Sequence, residues 1–414
     1  MMLFLYNLIV QIAAFLLKIV ALFSPKMKLF VDGRKEVFPV LEQKIKLTDK
    51  TIWFHAASLG EYEQGLPVIE KIKEQFPSHK IILTFFSPSG YEVRKNNTVA
   101  DVTVYLPLDT QKNAQQFLQL VHPDLVFFIK YEYWPNYLAE LKKRNTKTYL
   151  ISGILRKNQL FFKWYGGFYR DALDAFTYFF VQNETSKKLL LQVGKTNVSV
   201  SGDTRFDRVA AILEKDNSLG FISQFKDNTL TIVVGSSWPK DENLLVDFIN
   251  SNTLNIKFII APHNIKEEQI QALKNSITKK TVLFSEKEGK NLADFDVFII
   301  DTIGILTKIY SYADIAYVGG GFGNSGVHNL LEPATFGVPI LIGPNYSHFA
   351  EATALVNMEA CISINNSKEL DEAFKNLIQN DDIRQEKGHM CSTFVQMNKG
   401  ATANILKHIL NDSI

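Results

Sequence analysis

The chain has 414 residues, 46% of them hydrophobic, too many for one ordinary core and suited to two α/β domains of similar size. A formal net charge of +2 excludes a field strong enough to recruit nucleic acid. The only two cysteines, Cys361 and Cys391, support neither a disulfide framework nor a Cys-based metal site and fit a reducing compartment.

Residues 1–23 are almost continuously apolar, interrupted by Asn7, Gln11 and Lys18, which is close to the roughly 20 residues that cross a bilayer core. Lys26, Lys28, Arg34 and Lys35 follow the run instead of preceding it, the reverse of a cleaved signal peptide. The positive-inside rule then leaves everything downstream on the cytoplasmic side. Residues 1–24 are predicted to be a membrane anchor that either spans the bilayer or, given Lys18 and the polar positions, lies in the interface.

From Thr51 onward short apolar runs alternate with amphipathic stretches, the rhythm of a parallel sheet covered by helices. Strands are predicted at 52–56, 81–85, 102–106, 125–129, 148–151, 178–181 and 198–201, and a second series at 230–234, 258–261, 282–284, 297–300, 315–318, 339–342 and 361–364. This divides the chain into an N-terminal α/β domain over 25–205, a linker over 206–228 and a C-terminal α/β domain over 229–414. Residues 381–410 read as one or two closing helices. Ligands of such doubly wound sheets sit at the carboxyl ends of strands, and the motifs fall there.

After the first strand, residues 53–61 read WFHAASLGE. Gly60 predicts a tight strand-to-helix turn, with Glu61 in the first helical turn. A partly desolvated carboxylate there can take the proton from an attacking hydroxyl. Ser58 and Glu61 also have the spacing of a capping box, and a carboxylate complements a helix N-terminus, so spacing alone leaves both readings open. Ser87, Ser89 and Gly90 offer hydroxyl and backbone donors to a sugar or phosphate, or form only a capped turn. Glu132 and Trp134 follow a buried strand, and Pro135 suits the start of a helix; Glu132 reads as support for the chemistry.

In the second half, Gly235, Ser236, Ser237 and Trp238 precede a predicted helix, where small residues and free amides can hold a phosphate. Residues 318–333 read VGGGFGNSGVHNLLEP. Glycines such as Gly320, Gly321 and Gly326 let backbone approach a phosphate, though such turns arise for many reasons. Arg205 suits a carboxylate or phosphate, or an ion pair with Asp203 or Asp207. No His/Asp cluster has metal-ligand spacing, so neither a metal nor another cofactor is expected. No GxGxxG opens the first strand-to-helix turn, which argues against a dinucleotide-dependent dehydrogenase.

The segment HAASLGE resembles the His-Ala-x-Ser-x-Gly-Glu signature of the 3-deoxy-D-manno-octulosonic acid (Kdo) transferases. TFFSPSGYE at 84–92, LPLD at 106–109 and YEYWPN at 131–136 follow in the family's order, GDTRFD at 202–207 resembles a cleft-hinge segment, and 318–333 resembles a GGHNxLEP-type donor motif. The resemblance implies a GT-B glycosyltransferase fold, in which two doubly wound Rossmann-like domains face a cleft and the last helix packs back on the N-terminal domain. It implies inverting, metal-independent transfer of Kdo from CMP-Kdo to a lipid A precursor in lipopolysaccharide biosynthesis, at the cytoplasmic face of the inner membrane. Glu61 becomes the base, with Ser58, Gly60, Ser87, Ser89 and Glu132 on the acceptor side. Arg205, Ser236, Ser237, His263, Gly320, Gly321, Gly326, His328, Asn329 and Glu332 become donor contacts, Glu332 at the ribose hydroxyls, with Phe349 and Glu351 in a loop closing over the donor. Several positions depart from the pattern, among them Ser325-Gly326-Val327, where Gly-Gly is usual. Trp238 stands where a His is frequent, and His263-Asn264 stands where Arg-His is usual. The alternatives are a GT-B enzyme using a UDP-sugar and a non-catalytic sugar-nucleotide-binding membrane protein.

Overall fold

The computed structural model describes residues 2–324 and 326–413. The chain divides into two compact units, one built from residues up to Arg208 together with those from Lys399 onward, the other from Val209–Asn398.

The first unit holds seven strands, β1 (Lys50–Ala56), β2 (His79–Phe85), β3 (Val102–Tyr105), β4 (Leu125–Ile129), β5 (Lys147–Gly153), β6 (Tyr178–Val181) and β7 (Val198–Val200), in the order β3-β2-β1-β4-β5-β6-β7. Their pairings are parallel. With helices on both faces, the strands read as nearly unbroken apolar runs, as in the wholly buried Leu-Val-Phe-Phe-Ile of β4. The two-residue side-chain period then splits them between two cores. Ile52, Phe54, Ile81 and Leu83 meet Val68, Ile69 and Ile72 of the helix Leu59–Gln75 on one face; Trp53, Ile82, Val126 and Phe128 meet Phe117, Tyr137 and Leu141 on the other.

The last helix, Ala401–Ser413, completes the first of these cores with Ile405 and Ile409, both fully buried. Asp207 receives it by accepting the amides of Gly400 (2.5 Å) and Thr402 (2.7 Å), and Asp412 accepts the Tyr149 hydroxyl at 2.9 Å.

The second unit repeats the plan with β8 (Thr231–Ser237), β9 (Lys257–Pro262), β10 (Thr281–Leu283), β11 (Val297–Ile299), β12 (Ile315–Val318), β13 (Ile340–Ile342) and β14 (Cys361–Ser363), ordered β10-β11-β9-β8-β12-β13-β14. Every expected strand is present. β8 runs three residues further than its apolar run, which carries Ser236 and Ser237 into the sheet. The stretch 206–228 contains the end of the helix Thr204–Ala210 and the helix Gly220–Lys226, whose Ile222 and Phe225 are fully buried in the second unit.

The helix Met2–Val20 is long and apolar enough to cross a membrane. None of its residues is fully buried, yet one stripe of it, Tyr6, Asn7, Val10, Ala14 and Leu17, is half-buried at helical spacing. Tyr6 donates its hydroxyl to the buried Asp109 at 2.7 Å, and Asn7 accepts the side-chain amide of Asn136 at 2.9 Å. The rest, including Phe4, Ile9, Ile12 and Phe15, faces outward.

Candidate active site

In each sheet the strand order reverses beside the unit's first strand, between β1 and β4 and between β8 and β12. That switch point is where chain ends diverge and leave a crevice. Glu61 and Glu132 follow β1 and β4 in the first unit. Trp238 and Gly319–321 follow β8 and β12 in the second.

Glu61 lies in the first turn of the helix Leu59–Gln75, behind the N-cap Ser58. Its Oε2 accepts the Ser58 amide at 2.9 Å, so half of the capping box is made. Cap and candidate base are one side chain. Glu61 is only 4% exposed, and burial, reinforced by the nearby Glu132 charge, pushes its carboxyl up to about 7, against the opposing pull of Lys130 and of the Ala57 and Ser58 amides. A carboxyl poised there exchanges a proton near neutral pH.

The tight turn expected at Gly60 is absent. Gly60 is already helical, and a Cβ built on it meets nothing within 4 Å. Ser58 makes the turn instead, with extended backbone.

Glu132 sits in a chain of aromatic and hydroxyl groups. The Trp134 indole N–H is shared between Glu132 Oε2 at 2.9 Å and His55 Nε2 at 3.1 Å. The fully buried His55 reaches Thr84 Oγ1 through Nδ1 at 2.8 Å, and Thr84 also accepts the Trp53 indole N–H at 2.8 Å. The chain braces Glu132 from inside the sheet. Neither His55 nor Thr84 carries a role on sequence grounds, because nothing local pairs a β1 residue with its β2 neighbour. Ser87 holds the N-cap position of the next helix without a side-chain capping bond, and its hydroxyl lies 2.7 Å from that of Ser89.

In the second unit the expected amide cradle after β8 is smaller than the sequence suggests. The Trp238 amide donates to Asp241 (2.9 Å), and Pro239, which opens the helix Pro239–Ser251, has no N–H. Ser237 donates its hydroxyl to Glu242 at 2.8 Å, while Ser236 holds a left-handed φ of 53°. Asp241, wholly buried, also accepts the Gly320 amide (2.9 Å) and the Tyr317 hydroxyl (2.8 Å). One carboxylate thus ties the helix start to the Gly-rich loop, a role that sequence reasoning missed. Gly320 has φ 97°, and a Cβ there would lie 2.4 Å from the Gly326 carbonyl, so glycine is required for loop-on-loop packing. Gly321 packs on Gly343, and Gly326 lies under the Phe349 ring. Ser325, within the same motif, lies outside the described residues.

Glu332 accepts from Thr307 (2.9 Å) and from the Asn329 amide (3.0 Å), so two polar members of the motif are held together. His263 stacks on both Trp238 and His328, whose rings lie side by side. Arg205 belongs to the first unit, where Asp203 takes its guanidinium at 2.7 and 2.9 Å. Among the described residues no group of three or more His, Cys, Asp or Glu is placed to hold a metal ion.

The family described as 3-deoxy-D-manno-octulosonic-acid transferase (kdotransferase) matches residues 33–208. Over 379 residues the chain is 31% identical to the 3-deoxy-D-manno-octulosonic acid transferase of Chlamydia trachomatis serovar D, an alignment covering 87% of this chain and 86% of that protein. The chain belongs to the 3-deoxy-D-manno-octulosonic acid transferase family. As a Kdo transferase it is an enzyme of the glycosyltransferase class. Its fold is shared with UDP-GlcNAc 2-epimerase from Neisseria meningitidis (TM-score 0.59, 16% identity, 87% of this chain and 100% of that one). It is shared also with MurG from Acinetobacter baumannii (TM-score 0.54, 12% identity, 88% and 99%). This is the GT-B fold expected from the paired α/β series.

Proposed function

We propose that this Kdo transferase moves Kdo from CMP-Kdo to a lipid A precursor, with Glu61 as general base, in a single inverting displacement. The observation that carries the reading is Glu61 itself, a buried carboxylate held near pH 7 at the mouth of the first sheet in a chain of this family. Glu61 accepts the proton of an acceptor sugar hydroxyl as its oxygen attacks the anomeric carbon of Kdo; the bond to the CMP phosphate breaks and CMP leaves with the electron pair. Positioning and stabilisation of the departing phosphate dominate such a step. Glu132, braced by Trp134 and His55, keeps a second carboxylate near Glu61 and helps hold its proton affinity high.

In the second unit Glu332 accepts hydrogen bonds from the ribose hydroxyls, a geometry open to a carboxylate with two acceptor oxygens, and Asn329, Ser236, His263 and His328 face the phosphate and sugar. Arg205 supplies a cation already oriented by Asp203. The outward apolar face of the helix Met2–Val20, followed by Lys26 and Lys28, supports attachment to the cytoplasmic face of the inner membrane, where a lipid acceptor resides.

Mass analysis of products from the purified chain, CMP-Kdo and a lipid A precursor tests the reading. Addition of Kdo from CMP-Kdo is the expected result; transfer from UDP-sugars alone would sink it.

A further inference from the structure

Trp238 occupies the position where the family resemblance leads one to expect histidine, and its surroundings give the exchange a chemical meaning. Its indole Nε1 lies 2.8 Å from Nε2 of His328, and the two ring planes differ by only 8°, so the contact runs in the plane of both rings. His263 covers the pair, stacked at 4.6 Å on Trp238 and 4.4 Å on His328. The Trp238 backbone is fixed independently through Asp241, which also holds the Gly320 amide.

An indole N–H donates and never accepts. His328 Nε2 must therefore be the acceptor and carry no proton, and the neutral ring keeps its single proton on Nδ1. Burial and the neighbouring His263, the titratable group stacked against it, push His328 down to about 4, so the ring stays neutral at physiological pH. Among the described residues Nδ1 has no hydrogen-bond partner, and His328 is only half-buried. A histidine at position 238 would accept or donate and would titrate itself; tryptophan removes both freedoms.

We infer that Trp238 is a positioning residue that locks His328 as the neutral Nδ1–H tautomer, so that this N–H donates to an anionic oxygen of the sugar-nucleotide donor. The second half of this inference rests on the proposed donor, the first does not. The anionic oxygen belongs either to the nucleotide phosphate or to the sugar carboxylate, and both accept the same hydrogen bond.

The test has two independent arms. Nitrogen-detected NMR of the full chain labelled at histidine reads the tautomer without any substrate. The expected result is a protonated Nδ1 and bare Nε2 at pH 7 in the native chain, and a mixed tautomer with a raised pKa in Trp238→Phe, which keeps the ring and loses the N–H. An Nε2–H tautomer or an imidazolium in the native chain, or an unchanged tautomer in Trp238→Phe, overturns the lock. In the second arm Trp238→Phe raises the KM for CMP-Kdo several-fold while kcat changes less, and the KM becomes pH-dependent between 5 and 7. Trp238→His restores part of the loss, and His328→Phe raises KM on the order of tenfold. Equal weakening of CMP and CMP-Kdo places the contact on phosphate; weakening of CMP-Kdo alone places it on the carboxylate. A tautomer shift with donor affinity unchanged for both overturns the contact and leaves the lock standing.

Discussion

Glu61 carries two demands in one side chain. As a cap it is best ionised, and the Ser58 amide favours that form; as the proposed base it needs a proton affinity near neutral pH, which burial supplies at the cost of stability. The sign follows from linkage. The folded carboxyl, near 7, holds its proton more tightly than the unfolded one at its ordinary value of 4.5, so this contribution to stability is present below about pH 4.5 and is lost as pH rises through 7. Glu61→Gln keeps an acceptor for the Ser58 amide and removes the titration. Its stability relative to the native chain should climb across that window, by up to roughly 3 kcal/mol, in urea melts at pH 4.5 and 8. Its kcat should fall about 10²-fold or more with CMP binding retained, and the native rate should rise with pH to a plateau just above 7. A carboxylate serving only as a cap would show the opposite pattern, with lost stability and kept activity. Beside it, Gly60 has a helical backbone and open space where a side chain would stand. Gly60→Ala should stabilise the fold by about 0.5–1 kcal/mol, and a fall in acceptor turnover in the same variant would show that the open space is the approach to Glu61. The sequence suggested a turn at Gly60 because glycine is permissive; the chain instead places its extended residue at Ser58, and only the built backbone distinguishes the two.

At the scale of elements, strands were the most legible feature, since a parallel sheet covered on both faces turns each strand into a short apolar run bounded by polar residues. Ends were less so. β8 continues through Ser236 and Ser237 because it pairs with β9 as far as Pro262, and pairing is invisible to composition. The same limit hid the connections between elements: Asp241 lies in the first turn of a helix, and its bonds to Tyr317 and Gly320 join positions more than 70 residues apart. Asp241→Ala should leave three donors without their acceptor, costing about 3 kcal/mol or more, and weaken donor binding at least tenfold by calorimetry because the Gly-rich loop loses its tether. The N-terminal helix makes a comparable connection. Tyr6→Phe deletes one hydroxyl and one of the hydrogen bonds that Asp109 accepts, so the melting temperature of the full chain should drop by a few degrees, the equivalent of about 1–2 kcal/mol. A helix acting only as a tether would leave it unchanged.

For the whole molecule, the two-sheet plan and the position of the motifs after strands were readable from one end of the chain to the other, whereas the path of the C-terminus rested on resemblance. Nothing in the apolar periodicity of 401–413 says which core it joins. The answer lies in Ile405 and Ile409 among the residues of the first unit, and in Asp207 waiting for two amides. Removing residues 399–414 should uncover this face, with each isoleucine worth roughly 1.5–3 kcal/mol. Limited proteolysis should then cut within the first unit while residues 209–398 resist, and a uniform loss of protection would contradict the division.

That return of the chain also orders events in time. A nascent chain leaves the ribosome from its N-terminus, and domains tend to close as units as they emerge. The unit that begins first cannot finish first here, because two of its core residues and the helix that Asp207 receives are made after residues 209–398. Residues 209–398 can close while the first sheet still lacks part of one wall, the part that packs against the helix carrying Glu61. The helix of the candidate base therefore gains this packing partner only after the second unit has been made.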